Sequence, residues 1–316
     1  MISDSTTGNT PVSRTSQNQP IILFGEILAD VFSDRSVLGG APFNVARHLR
    51  ALGKNPVLIS RLGHDGLKEK IIEEMTANEM DTRGIQCGNR HPTGHVQVHM
   101  DGGQHRFEIL PEQAYDYIHP GVVRMTTLAV NPVLVYFGTL AQRNEVSRRA
   151  LKSMMRSTGC TKFLDVNLRS PWYDDKVISA SLQYADIIKL NEEELEIISG
   201  MIGLHGGSGE SDIIELMKTY DIDQAVITKG KEGSWQIDRE GRITETPIRN
   251  QIANPVDTVG AGDGFAAVYI LGSLLHWPET ITMERANAFA AGICEIRGAI
   301  PEEAEFYEPY LHEWSL

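Results

Sequence analysis

Asp257-Thr258-Val259-Gly260-Ala261-Gly262-Asp263-Gly264 (DTVGAGDG) runs without a break into the apolar stretch FAAVYIL, Phe265 to Leu271. A glycine-rich turn feeding a buried helix is a physical device. Glycines tolerate positive φ and let main-chain N–H groups come close to an anion. The unpaired amides and the positive end of the helix dipole then favour negative charge. Asp263 is the unexpected member, because a carboxylate beside an anion cradle repels the anion unless it has its own task. One such task is to take a proton from a hydroxyl that attacks phosphorus. The plainer reading makes Asp263 a helix cap, a common use of Asp. The octapeptide alone does not choose between them.

Outward from that turn, the chain alternates strands and helices. Ile21 opens IILFGEILADVF, a strand interrupted at Gly25. Ala41 to Leu52 places Val45, Leu49 and Leu52 on one helical face, and Gly53 stops it. Pro56 to Ser60 reads as a strand and Leu67 to Glu79 as a helix. Further strands are expected at Val133 to Thr139, Lys162 to Asn167, Ile187 to Asn191 and Ala225 to Lys229. Helices are expected at Glu145 to Ser157, Lys176 to Tyr184, Ser211 to Tyr220, Gly264 to Leu275 and Met283 to Ile296. A hairpin is expected around Arg239-Glu240-Gly241. Thr93 to Leu110 differs in texture: Val96, Val98 and Met100 alternate with His95, Gln97 and His99, and Asp101-Gly102-Gly103 supplies a turn. The whole implies an α/β three-layer sandwich, its central sheet mostly parallel, with an antiparallel ribbon added.

Such sheets bind ligands beyond the C-terminal ends of their strands. Polar residues that follow apolar runs are therefore candidates: Asp30, Asn167 and Arg169, Asn191 and Glu194, Thr228 and Gly230, and Asp263. Each alone is commonly a cap or turn residue; together they fall on one edge of the expected sheet.

With these residues assembled, the chain resembles the ribokinase-like (PfkB) carbohydrate kinases, and within them fructokinases. Two long motifs carry the resemblance, GGAPFNVARHLRALG (Gly39 to Gly53) and DTVGAGDGF (Asp257 to Phe265). GEILAD, RLGHDG, DVNLRSPWY, KLNEEEL and ITKGKEGS support it in order along the chain. The resemblance implies an ATP-dependent sugar kinase that uses Mg²⁺, with fructose the expected sugar. Asp263 would be the base, with Gly260, Ala261 and Gly262 forming an anion hole. Asp30, Gly39, Gly40 and Asn44 would hold sugar hydroxyls, with Asn167 and Arg169 near the sugar or phosphates. Glu194, in the N-x-x-E element that starts at Asn191, would organise Mg²⁺ through water. Thr228, Gly230 and Gly233 would line the nucleotide, and Asn287 would lie near the adenine. A small antiparallel β-clasp from segments near residues 31–40 and 93–112 would close over the sugar and pair with its copy in a homodimer. Gln97, Arg106 and Glu108 are its candidate sugar contacts. One departure concerns K⁺. Relatives that use a monovalent cation carry a small polar residue after the last Gly-Ala, whereas Gly298-Ala299 here precedes Ile300-Pro301-Glu302-Glu303. Asp257 stands at one cation-ligand position. Kinases for 2-keto-3-deoxygluconate, ribose or nucleosides are the alternatives on the same fold.

Composition narrows the function classes. The 316 residues carry a net charge of −13, unfavourable for nucleic acid or an anionic membrane surface. The three cysteines, Cys87, Cys160 and Cys294, have neither zinc nor disulfide spacing. No apolar run suffices to span a bilayer and no secretory signal is read, so a cytoplasmic location is expected. Residues 1–20 are rich in Ser, Thr, Asn and Gln and read as a disordered tail, with residues 21–316 as the folded unit. A dinucleotide-dependent dehydrogenase is disfavoured because Phe265 stands where the third glycine of G-x-G-x-x-G belongs. A non-catalytic sugar or nucleotide sensor is disfavoured by the intact Asp263 and Glu194. His91, His95, His99 and His105 read as a polar ribbon face rather than a metal site, since Pro92 and Gly94 forbid a helix there. Tyr310 and Trp314 read as packing residues.

Overall fold

The computed structural model describes residues 19–32, 35–101, 104–204, 209–248 and 255–316. The expected tail, apart from Gln19 and Pro20, and the Gly102-Gly103 turn lie outside these residues. The strands are β1 (Ile21–Phe24), β2 (Leu28–Val31), β3 (Ser36–Gly39), β4 (Pro56–Leu62), β5 (Ile85–Cys87), β6 (Gly94–Asp101), β7 (Gln104–Ile109), β8 (Leu134–Phe137), β9 (Thr161–Asp165), β10 (Ile187–Asn191), β11 (Gln224–Thr228), β12 (Ser234–Asp238) and β13 (Ile243–Thr246). The helices are α1 (Ala41–Ala51), α2 (Gly66–Ala77), α3 (Pro120–Val130), α4 (Glu145–Met155), α5 (Asp175–Leu182), α6 (Glu192–Ile202), α7 (Gly209–Tyr220), α8 (Ala261–Leu274), α9 (Glu279–Cys294) and α10 (Glu308–Trp314).

Nine strands form the central sheet in the order β13-β12-β11-β10-β9-β8-β1-β4-β5. From β11 to β5 every pairing is parallel; β12 and β13 add an antiparallel edge. Parallel strands covered on both faces are apolar throughout, and β1 and β8 are buried at every position. Alternation splits them between two cores. Ile22 and Phe24 join the core on the side of α4, α5, α6 and α7, while Ile21 and Leu23 join the core shared with α1, α2, α8 and α9. Helix α8 is buried on nearly all sides, because α1 and α9 flank it. Tyr310 and Trp314 pack against Phe289 in this second core, as their sequence reading expects.

A separate four-stranded sheet has the order β3-β2-β6-β7. Its two hairpins are antiparallel, and the parallel pair β2–β6 joins them. Gly25 follows β1, and the chain passes within three residues into β2, so this clasp grows from the C-terminal end of β1 in the nine-stranded sheet. Strand β5 and helices α3 and α10 have no counterpart in the sequence reading; Val122, Met125 and Leu128 on α3 are exposed. Among the described residues no helix is long and apolar enough to cross a membrane.

Candidate active site

A continuous cleft of about 2210 Å³ runs along the C-terminal edge of the central sheet, under the clasp. It gathers almost every residue singled out in the sequence: Asp30, Gly39, Gly40 and Asn44 at one end, Asn167, Arg169, Asn191 and Glu194 along the middle, Thr228, Gly230, Gly233 and Asn287 at the other. Gly260, Ala261, Gly262, Asp263, Asp257 and Glu108 complete it. Gln97 is not part of its wall. Gln97 is exposed on the ribbon face opposite Val96, and Val96 is the residue that borders the cleft. Arg106 pairs in register with His99, and its side chain lies outside the described residues.

The turn at Gly260 makes the site. Gly260 has φ +80 and is the N-cap of α8. A Cβ there would lie 2.3 Å from the Ala299 side chain, so both the conformation and the space require glycine. Ala261 N donates to Thr258 O (3.3 Å) and Gly264 N donates to Gly260 O (2.8 Å). The amides of Gly262 and Asp263 have no partner among the described residues, and they face the cleft at a positive helix end. Asp263 does not cap its helix. Its carboxylate accepts a 2.7 Å hydrogen bond from Asn44 Nδ2, which arrives from α1. Helix α1 is started by Gly40, at φ +104, where a Cβ would lie 2.8 Å from the Glu26 carbonyl oxygen.

Beneath the turn lies a buried ion pair that the sequence reading did not find. Lys189 Nζ, from β10, donates to Asp165 Oδ1 of β9 at 2.9 Å, and the Tyr136 hydroxyl donates to Asp165 Oδ2 at 3.1 Å. A Cβ on Gly262 would sit 3.4 Å from Lys189 Nζ, so this ammonium lies directly under the anion-attracting turn. Burial pulls its pKa down, but Asp165, Glu194 and Asp263 more than offset this and hold it above the usual lysine range. Lys189 therefore presents a permanent positive charge to the cleft.

Three carboxyls share the opposite character. Burial pushes Asp263 up to about 6, with Asp165 adding to it and Asn44, Lys189 and Arg169 opposing. Burial likewise pushes Asp30 up to about 6 and Glu26 up to about 7, with Arg169 lowering both. Glu26, another residue not foreseen, is 4% exposed and leaves its Oε2 without a partner among the described residues. Perturbed carboxyls gathered in a cleft are characteristic of functional sites.

Glu194 acts first as a clamp. Its two oxygens accept the amides of Leu168 (2.8 Å) and Asn191 (2.9 Å), and Asn191 Oδ1 accepts Glu194 N. This reciprocal cap ties the loop after β9 to the start of α6. Each oxygen keeps a lone pair, and burial raises the carboxyl's pKa although Lys189 opposes it. Among the described residues no group of three acidic, His or Cys side chains could hold a metal by itself. A divalent cation that arrives on phosphates and keeps its waters would fit such a site, and Glu194 is the carboxylate that would hold those waters. Asn287 spends its amide on Thr246 O (2.9 Å) and its carbonyl on the Ser234 hydroxyl (3.1 Å), so it shapes the wall of the cleft through β12 and β13.

Asp257 has a similar structural use. Its Oδ1 accepts the amide of Val259 and its Oδ2 that of Gly298, both at 3.0 Å. The Ala299 carbonyl is taken by His48. These bonds tie two loops together, and each accepting oxygen retains a lone pair, as those of Glu194 do. Among the described ribbon histidines, His91 stacks on Tyr117, His95 Nδ1 lies 3.2 Å from the Thr93 carbonyl oxygen and His99 meets Glu108 at 3.1 Å; the His105 side chain lies outside the described residues.

Comparison with known proteins agrees with this geometry. Residues 7–305 match the pfkB family carbohydrate kinases, and the chain belongs to that family. The uncharacterized sugar kinase PH1459 of Pyrococcus horikoshii is 30% identical over 270 residues, covering 83% of this chain and 82% of the relative. Its crystal structure in complex with ATP superimposes with a TM-score of 0.74 at 28% identity, over 88% of this chain and 93% of that one. A fructokinase of Klebsiella pneumoniae is 29% identical over 275 residues, 82% of this chain and 86% of the relative. A fructokinase double mutant from Vibrio cholerae O395, solved with fructose, ADP and potassium ion, shares the fold with a TM-score of 0.74 at 20% identity, over 92% of this chain and 97% of that one. The protein is a carbohydrate kinase with a ribokinase-like fold.

Proposed function

We propose that the protein transfers the γ-phosphoryl group of ATP to a primary hydroxyl of a neutral sugar, fructose in the first instance. The observation that carries this is the position of Asp263. It is half-buried and anchored by Asn44, and it lies in the same helix turn as the free amides of the anion hole. The sugar hydroxyl oxygen attacks the γ-phosphorus, its proton passes to Asp263, and the bond from phosphorus to the β–γ bridging oxygen breaks to release ADP. Asp263 returns the proton to solvent. The Gly262 and Asp263 amides and Lys189 neutralise charge on the transferring group, where fixed donors act most strongly. Mg²⁺, when bound on the phosphates, supplies charge neutralisation and orientation. Glu194 and Asn191 would hold its waters.

The choice of sugar rests on charge as well as on the relatives' names. Glu26, Asp30 and Asp263 line the sugar end, and each already resists ionisation because it is desolvated. A sugar acid would add a further negative charge there, opposed chiefly by Arg169. Sugar hydroxyls instead offer donors to these carboxyls. A panel of fructose, ribose, 2-keto-3-deoxygluconate and a nucleoside with ATP, compared by kcat/KM, tests the proposal. Preference for 2-keto-3-deoxygluconate would overturn the fructose assignment; turnover of none would overturn the activity. Pairing of the clasp with a second copy of the chain is part of this reading, to be checked by its mass in solution.

A further inference from the structure

We infer that His48 is a positioning residue whose ring, bonded to the Ala299 carbonyl, fixes the first turn of α8 and so the aim of Asp263. The inference rests on the reading of Asp263 as the base.

Asn44 and His48 lie four residues apart on α1 and project from the same side of the helix. Asn44 holds the Asp263 carboxylate. His48 reaches past it: Nε2 lies 3.1 Å from the Ala299 carbonyl oxygen and Nδ1 lies 2.9 Å from the Tyr307 hydroxyl. A carbonyl can only accept, so Nε2 carries the hydrogen. Nδ1 is then an acceptor, and Tyr307 donates to it. The ring is fully buried and meets Phe289 edge to face at 5.2 Å. Burial keeps it neutral, its pKa pushed down to about 3, so the tautomer does not change near neutrality.

Ala299 is the second link. Its Cα and Cβ fill the space that a side chain on Gly260 would need, at 2.4 and 2.3 Å. The neighbouring Gly298 amide donates to Asp257 Oδ2 at 3.0 Å. The 298–299 loop is therefore gripped from two sides, by Asp257 from the start of the DTVGAGDG turn and by His48 from α1, and it presses on Gly260 between them. Without His48 as donor, the Ala299 carbonyl is left unpaired in a buried place, which the loop relieves by moving. Movement of Ala299 frees Gly260, and the unpaired amides and Asp263 follow.

Three substitutions separate positioning from simple packing. His48→Gln places an amide nitrogen near the Nε2 position and keeps the bond to Ala299. His48→Asn is shorter and reaches only the Nδ1 position. His48→Leu has no donor. A 1 Å displacement of a reacting group can cost about 10²-fold in rate. The Asn and Leu variants should lose roughly 10-fold or more in kcat, with KM for sugar and ATP within about twofold, while Gln stays near wild type. Amide exchange at Gly260, Ala261 and Gly262 should quicken in Asn and Leu and not in Gln. Exchange is readable whether or not the chain phosphorylates fructose, so absent turnover counts against the proposed function, while exchange still decides whether His48 holds the turn. If Leu fails to fold, the Asn and Gln pair decides. Equal kcat in Asn and Gln, a loss confined to KM or melting temperature, or a wild-type ring protonated at Nδ1 by ¹⁵N NMR would each overturn the inference.

Discussion

Along the edge of the nine-stranded sheet, polar side chains are held by other protein groups: Lys189 by Asp165, Asp263 by Asn44, Glu194 by two amides. On the four-stranded clasp the arrangement is reversed. The ribbon side chains that border the cleft include apolar Val96, Phe107 and Ile109, while His99 and Glu108 pair with each other near the surface. The first region is preorganised, its groups paid for in burial. The second offers shape and cover. Chemistry that needs fixed charge belongs on the sheet edge, and discrimination among sugars is left to a smaller and more exposed element.

This contrast predicts that effects shrink as substitutions move from sheet edge to clasp. Asp263→Asn should keep the fold and melting temperature but lower kcat by about 10²–10⁴-fold, the usual worth of an acting base. Near-normal turnover would remove Asp263 from its role. In the wild type, kcat/KM should fall as pH drops through about 6, because the base must be ionised and burial has raised it to that value. A flat profile from pH 7 to 5 would break the assignment.

Lys189→Met tests the ion pair under the turn. Removing one partner of a buried pair strands the other charge, at a typical cost of about 3–5 kcal/mol. Urea unfolding should show that loss. Adding Asp165→Asn should recover much of it, since the amide still accepts from Tyr136 and carries no charge. Turnover should not return with stability, because the positive charge facing the transferring phosphoryl is still missing. Recovery of both would make Lys189 structural only.

Glu26→Gln should give a smaller effect of opposite sign. The folded carboxyl is raised to about 7 by burial, well above its value in the unfolded chain. Between about pH 4 and 7 the folded protein holds the extra proton, so this group lowers stability progressively as pH rises through that window. Glutamine cannot ionise. The variant should melt higher than wild type at pH 8, by the equivalent of about 1–3 kcal/mol, and equally at pH 4. No difference at pH 8 would mean that Glu26 finds a partner when ionised.

Much of the sheet edge was legible because its signals are local. The alternation of strands and helices follows from periodicity, and the Gly260 turn announces itself by glycines beside a helix start. Lys189 was not legible. A lysine in IIKL carries no sign of its partner, which becomes its neighbour only through the parallel register of β10 on β9. His48 has partners 251 and 259 residues away and is buried within α1, where nothing local marks it. Helix α3 was missed because it buries only Val123 and Thr127 while Val122, Met125 and Leu128 are exposed, so its apolar residues do not trace the buried face. The ribbon failed differently. Its alternation was plain, but alternation does not say which face looks at the cleft, and one residue of slip exchanges the faces. Gln97 was chosen where Val96 stands.

That ambiguity sets the smallest prediction. Glu108 pairs with His99 at 3.1 Å, and both side chains are about half exposed, at 54% and 45%. Exposed pairs of this kind contribute roughly 0–1 kcal/mol. Glu108→Gln should therefore leave melting temperature and kcat almost unchanged. The sugar comparison is the informative part. If the apolar face of the ribbon covers the sugar, the order of kcat/KM across the sugar panel should not move, whereas Val96→Asp, on the cleft side, should raise sugar KM while leaving KM for ATP alone. A changed sugar order in Glu108→Gln would show instead that the polar face turns inward when the clasp closes. The clasp would then carry recognition by hydrogen bonds rather than by cover, and its likeness to the sheet edge would be greater than the open cleft suggests.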